Sequence, residues 1–353
     1  MPTVHLHIGA MKSGTTYLQE VLGRNRDVLQ ARGVLFPGPR WHHQVIAAED
    51  LVGRRPKGKP DSPGAWQRLV DEVLAFEGSS VIISMETLAM ADAAAARRAV
   101  ESFGPNPVQV VLTARDLGRV IPAQWQESMQ NGGTTTYERF LATASATRSR
   151  TLPVARILWA AQDLGHILRT WAPFVPAANL TVVTVPPAGS DPTLLWRRFG
   201  EAVGLDPSGF DTTAPANESL GATSAELMRQ VNVMAKDRKL PWATRRALKV
   251  RLAKRVLPAR RAAEPVLVLP DKYLAWARRS AEWQIDAIES VAPRIVGDLD
   301  ELRLPSTEPV GGSRLGRRSG VDTAAATDSD LLQAALDGLV GLAGEIARRP
   351  RRP

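Results

Sequence analysis

The residues best equipped for chemistry fall in one early stretch, His7-Ile8-Gly9-Ala10-Met11-Lys12-Ser13-Gly14-Thr15-Thr16-Tyr17-Leu18. Glycines let a backbone approach an anion closely, hydroxyls and amides donate to it, and a lysine adds positive charge. An apolar-alternating run precedes this loop and a helical pattern follows it, which is the layout of a phosphate cradle at a helix N-terminus. Two further groups follow apolar runs: Glu86 after Val81-Ile82-Ile83, and Arg115 after Val110-Val111-Leu112-Thr113-Ala114. A carboxylate there suits proton transfer, and an arginine suits binding of a phosphate.

These positions make sense only if particular elements carry them. Thr3 to Ile8 reads as a strand, and Tyr17 to Ala31 as a helix with Leu18, Val21, Leu22, Val28 and Leu29 at helical spacing. Val81–Ile83 is a continuous apolar run, as in a strand buried on both faces of a parallel sheet, Pro107–Thr113 reads as another buried strand, and Asn179–Val185 as a further strand. A short strand is expected in Gly33–Gly38. A loop with Arg40, Trp41, His42, His43 and Gln44 is expected to run into a short helix from Val45 to Leu51. Between the strands lie helical patterns, including Ala65–Phe76, Ala89–Phe103, Leu117–Gln130 with a break or kink at Pro122, Arg156–Trp171 and Thr193–Val203. Strands alternating with helices give an α/β fold, a doubly wound, mostly parallel sheet whose ligand edge is the C-terminal one.

From Ala222 onward strands are expected to give way to helices, over Ala222–Asp237, Trp242–Leu257 and Asp271–Val291. The expected organisation is one domain over 1–305, a flexible linker over 306–327 and a C-terminal amphipathic helix with a basic tail over 328–353. Asp328 or Ser329 is expected to cap that last helix. Leu332, Leu336, Leu339, Val340, Ala343 and Ile346 fall on one side of it.

Composition narrows the function classes. The chain has 353 residues and 44 % hydrophobic content, enough for a large core. It has no cysteine, which excludes disulfides, thiolate metal sites and a thiol nucleophile. No apolar run approaches the length of a membrane span, and residues 1–8 already read as a strand, so a cytoplasmic location is the expectation. The net charge of +9 is concentrated in Arg245–Arg261, Arg314–Arg318 and the last six residues. No nucleic-acid-binding signature accompanies these runs, so no nucleic-acid partner is expected.

The loop departs from a Walker loop in one telling way. Gly9 and Gly14 have the right spacing and Thr16 fills the Ser/Thr place, but Thr15 stands where the lysine belongs, and the lysine is Lys12. Lys12-Ser13-Gly14-Thr15-Thr16 resembles the 5′-phosphosulfate loop, P-K-x-G-T-T, of sulfotransferases that use 3′-phosphoadenosine 5′-phosphosulfate (PAPS), with Met11 in place of the proline. The resemblance covers residues 3–186 by motif and extends weakly to about 305. It implies the P-loop-like sulfotransferase fold, PAPS as sulfuryl donor with no metal, and a hydroxyl, or less readily an amine, of a small molecule or glycan as acceptor.

On that resemblance Lys12, Ser13, Gly14, Thr15 and Thr16 hold the phosphosulfate, Lys12 offsets charge on the leaving oxygen, and Tyr17 stands beside the adenine. Glu86 takes the position of the catalytic base. His42 or His43 is the alternative base, in the loop where one branch of the family places a glutamate. Arg115, reinforced by Arg119, binds the 3′-phosphate. The family serine eight residues after the arginine is replaced by Ala123, and its late R-K-G loop is absent. Two rivals stay open: a P-loop kinase, which would use Glu86 or Asp116 for magnesium, and a sulfotransferase-like protein that binds nucleotide without turnover.

Overall fold

The computed structural model describes residues 1–53, 62–213, 219–304, 320–321 and 326–347. Most of the linker expected over 306–327 lies outside these residues, as do Asn217, Glu218, Arg314–Arg318, most of 52–63 and the basic tail after residue 347. The chain divides into two compact units. The first comprises Met1–Leu117, Ala160–Asn217 and Arg278–Leu304; the second comprises Gly118–Trp159, Glu218–Ala277 and Pro305–Pro353. No helix among the described residues is long and apolar enough to cross a membrane.

The strands are β1 (Thr3–His7), β2 (Val34–Leu35), β3 (Ser80–Ser84), β4 (Val108–Ala114), β5 (Leu180–Thr184), β6 (Val266–Leu267), β7 (Arg294–Val296) and β8 (Gly320–Val321). Six of them form one sheet in the first unit, in the order β2-β3-β1-β4-β5-β7, with every neighbouring pair parallel. This is the expected doubly wound α/β sheet. Its chain path turns at β1: the chain runs outward to β2, returns to β3 beside β1, then crosses to β4 on the other side. In open parallel sheets such a switch point opens a crevice at the C-terminal strand ends.

Both faces of the sheet are covered, which explains why its strands read as unbroken apolar runs. Val4, Leu6, Val81, Ile83, Val110, Leu112 and Val182 pack into one cluster, under Trp66, Phe103, Ile167 and Trp171. Ile82, Val111 and Val183 point the other way, against Leu18, Val21, Leu22, Trp196 and Phe199. β1 breaks the pattern on that second face, which it supplies with His5 and His7, both buried.

Several elements differ from expectation for local reasons. The first helical stretch is two helices, α1 (Thr15–Arg24) and α2 (Arg26–Ala31). They part at Asn25, whose amide donates to the Val21 carbonyl and competes with the helical ladder. Then follow α3 (Trp41–Leu51), α4 (Ala65–Leu74), α5 (Ala93–Glu101) and α6 (Leu117–Gln130). α3 begins at Trp41, so His42 and His43 lie in its first turn and not in a loop. The alanine-rich helix is shorter than expected because Asp92 caps it, accepting from the Ala95 amide at 2.8 Å. α6 runs unbroken through Pro122, at the loss of one intrahelical hydrogen bond.

The stretch 156–171 splits at Asp163, whose carboxylate caps a new helix by accepting from the His166 amide at 2.9 Å. The expectation that strands end after Ala222 is corrected by β7. With only Arg294, Ile295 and Val296 between Pro293 and Gly297, β7 is too short to carry a periodic signal. Beyond it Glu301 takes hydrogen bonds from Arg198 (2.6 and 2.9 Å) and Thr184 (2.5 Å), tying the closing segment to the end of β5.

The second unit is mostly helical. Trp125, Tyr137, Phe140 and Trp159 are fully buried, with the Trp125 indole donating to the Thr135 carbonyl and the Trp159 indole to the Ala144 carbonyl. Thr136 caps the helix Tyr137–Ala146. The stretch expected as one helix over 242–257 is α-helical only to Ala247 and π-helical over Leu248–Val256. The last helix is Asp328–Ala347. Its cap is Thr327, not Asp328 or Ser329: the Thr327 hydroxyl accepts from the Asp330 amide, and the Asp330 carboxylate accepts from the Thr327 amide and hydroxyl.

Candidate functional site

Three adjacent strand ends, β3, β1 and β4, present Glu86, the glycine loop and Arg115. The loop leaves β1 at Ile8, whose amide donates to the Val111 carbonyl at 2.9 Å; Ala10 does the same to Thr113 at 3.0 Å. The loop is thus tied to β4 over its first half. It then turns sharply. Lys12 has φ +66°, in the left-handed region a non-glycine residue rarely adopts, and Gly14 follows with φ +83°. The Arg115 guanidinium donates to the Lys12 carbonyl at 3.3 Å, and the Gln162 amide donates to the Met11 carbonyl. The strained lysine is therefore gripped from outside the loop, as backbone outliers at ligand sites tend to be.

Below the loop lies a polar chain that sequence reasoning missed. His7 is fully buried, and burial pushes its pKa down to about 3, so the ring is neutral near pH 7. Its Nδ1 is 2.8 Å from Ser84 Oγ and its Nε2 is 3.1 Å from Thr113 Oγ1. Thr113 Oγ1 is 2.6 Å from Ser13 Oγ, and the Ser13 hydroxyl donates to the Ala10 carbonyl.

Counting protons orders this chain. Ser13 spends its proton on Ala10, so Thr113 donates to Ser13, His7 donates from Nε2 to Thr113, and Ser84 donates to His7 Nδ1. Strands β3, β1 and β4 are joined beneath the loop, and Ser13 faces inward as the loop's brace. Gly9 is part of the same fit: a Cβ there would overlap Thr113 Oγ1 and lie 2.7 Å from His7 Nε2 and 2.9 Å from Thr15 Oγ1.

Above this brace the donors are uncommitted. Thr15 Oγ1 and the Tyr17 hydroxyl are both buried without a hydrogen-bond partner. A buried unsatisfied hydroxyl costs stability, and both of these residues stand in the first turn of α1. Tyr17 is half-buried against the Leu18–Phe199 cluster; burial, and secondarily Asp191, raises its pKa. Thr16 is half-buried in the same first turn of α1.

Glu86 is half-buried two residues beyond β3 and opens a short helical turn, Glu86–Met90. Gln19 on α1 holds it: one amide nitrogen donates to the Ser84 carbonyl at 2.9 Å and to Glu86 Oε2 at 3.1 Å. Gln44 braces the same strand end, accepting from the Ser84 amide at 2.9 Å and donating to the Pro37 carbonyl. Its neighbours His42 and His43 are exposed, and His43 Nδ1 is 3.0 Å from the Arg40 carbonyl. Arg119 stands on the part of α6 that belongs to the second unit. Among the described residues no group of three or more His, Asp and Glu gathers as metal ligands.

No protein-family model matches the chain, and no curated protein sequence matches it. Among solved structures it is similar to the crystal structure of a sulfotransferase from Alicyclobacillus acidocaldarius, with 13 % identity, a TM-score of 0.40, and coverage of 70 % of this chain and 99 % of that one.

Proposed function

We propose that the loop Gly9–Thr16 binds the 5′-phosphosulfate of PAPS and that the protein transfers the sulfuryl group to a hydroxyl of a small molecule or glycan. The observation that carries this reading is the lysine position. Thr15 occupies the place of an ATP-binding lysine, while Lys12 sits inside the loop in a conformation held by Arg115. The unpartnered Thr15 and Tyr17 hydroxyls support an anionic group at this spot, and the residues present fit the donor.

When bound, the donor supplies a sulfuryl group activated by a phosphate leaving group. The chain's own residues have two tasks, holding charge and moving a proton. The Thr15 hydroxyl and the amides of the first turn of α1 donate to the anion, and the helix dipole favours it. Lys12 offsets charge that develops on the oxygen between phosphorus and sulfur. Arg115, one residue past β4, binds the 3′-phosphate. Glu86 accepts the proton of the attacking hydroxyl, as the new oxygen–sulfur bond forms and the old one breaks. Gln19 orients that carboxylate from a neutral side chain, which leaves it available as a base.

Calorimetry tests the reading. The product nucleotide, 3′-phosphoadenosine 5′-phosphate, is expected to bind more tightly than adenosine 5′-phosphate, and Arg115→Ala is expected to erase the difference. Equal affinities in the unaltered protein would remove Arg115 from its role. Preference for magnesium ATP over both would favour a kinase.

A further inference from the structure

The last helix, Asp328–Ala347, is seated by small residues. Ala334 and Gly338 are buried, and Leu252 Cδ1 lies 3.1 Å from where a Cβ on Gly338 would stand. A Cβ on Gly341 would overlap Val256. On the flanks Asp337 pairs with Arg260, and Glu345 with Arg255 at 3.2 Å. The larger apolar side chains point away from this seat. Leu332, Leu336, Leu339, Ala343 and Ile346 are all exposed, Leu339 at 64 %, with Val340 beside them at 74 %.

Their spacing of four, three, four and three residues is the heptad seam of a coiled coil, a pattern that fits a second helix and not a flat surface. Charge sets the direction of that second helix. Asp328 and Asp330 open this one, no lysine or arginine occurs within it, and Arg348 and Arg349 follow its last residue in the sequence. Parallel copies would set acid against acid; antiparallel copies set the acidic start of each helix toward the end whose sequence continues into arginine, and oppose the helix dipoles.

We propose that this stripe is a self-association surface that pairs two copies of the chain through antiparallel C-terminal helices. A two-fold interface places the same residue of both copies on its axis. With Leu339 there, Leu332 of one copy meets Ile346 of the other. The apolar stripe is then buried along its whole length.

The absence of native cysteine makes the register directly readable in the full chain. Under mild oxidation Leu339→Cys is expected to give a disulfide-linked dimer, Leu332→Cys alone to give none, and a mixture of Leu332→Cys and Ile346→Cys chains to give a mixed dimer. Efficient self-linking of Leu332→Cys would mean a parallel pair and overturn the proposal. Sedimentation equilibrium is expected to show a dimer that Leu339→Glu converts to monomer, with the melting temperature and nucleotide binding unchanged because position 339 is exposed. A monomer at every concentration, or a monomer that binds phosphatidylserine vesicles through this stripe, would overturn the proposal.

Discussion

Two regions of this molecule pack closely on glycine and leave opposite kinds of group unmet. In the loop after β1, Gly9 lets the backbone pass close to Thr113 and His7, and Gly14 close to Leu195; the polar chain from His7 to Ser13 braces the floor, and Thr15 and Tyr17 keep buried hydroxyls without partners. In the helix Asp328–Ala347, Gly338 and Gly341 clear space for the chain's own Leu252 and Val256 and send the leucines outward. In the first region polar groups are left unsatisfied within the fold; in the second, apolar ones are. Unmet chemistry of either kind is where a partner is to be sought, and its polarity says which kind of partner to look for.

The comparison breaks first, and hardest, at the catalytic groups. Glu86→Gln is expected to lower turnover by roughly 10²–10⁴ with nucleotide affinity little changed, while His43→Ala leaves turnover near normal. The reverse result would move the base to α3. Lys12→Met is expected to lower turnover by about 10²–10³, measured in the same assay. The glycine contrast comes next. Gly14→Ala puts a side chain at φ +83° and against Leu195, and is expected to cost about 1–2 kcal/mol and to weaken nucleotide binding. Gly341→Val, by overlap with Val256, is expected to loosen the last helix and the dimer while nucleotide binding stays intact. If both variants harmed nucleotide binding equally, the two regions would not be separate devices.

A smaller effect sharpens the first half of the contrast. Thr15→Val removes a buried hydroxyl that has no partner in the unliganded chain, so the melting temperature is expected to hold or rise. Affinity for the product nucleotide is expected to fall about tenfold, the worth of one hydrogen bond to a charged group. The gentlest test is pH. His5 and His7 are held neutral by burial, with pKa values of about 4 and about 3 against 6.5 when unfolded. Between those values the unfolded chain binds more protons, so stability rises with pH there. It is complete above about pH 6.5 and lost on acidification, at about 1.4 kcal/mol per pH unit for each histidine. His7→Gln is expected to flatten the dependence of melting temperature on pH over that range.

What the sequence made legible follows from where its signals were strong. Strands β3, β4 and β5 are readable because burial on both faces concentrates apolar residues in them, and β1 because an apolar-alternating run leads into the glycine loop and α1. The same runs place Lys12, Glu86 and Arg115 at strand ends. The floor of the site was not readable. His5 and His7 alternate with apolar residues and look like the wet side of a strand; only the second helical layer, with Phe199 5.1 Å from the His7 ring, makes that side a core. Gln19 likewise looks like an ordinary helix-surface residue, and Gln44 like a loop residue, until the fold brings them to Ser84. The leucine stripe of the last helix was visible in its periodicity, yet periodicity alone could not tell which face meets the body. The glycines decide that, by admitting Leu252 and Val256.

The most direct test of the central claim is transfer itself. A metabolite extract incubated with the full chain and PAPS, then scanned by mass spectrometry, is expected to contain a species heavier by one sulfuryl group, with an equivalent amount of PAPS consumed and neither change with Lys12→Met. PAPS left intact, together with a phosphorylated product when magnesium ATP replaces it, would contradict the account.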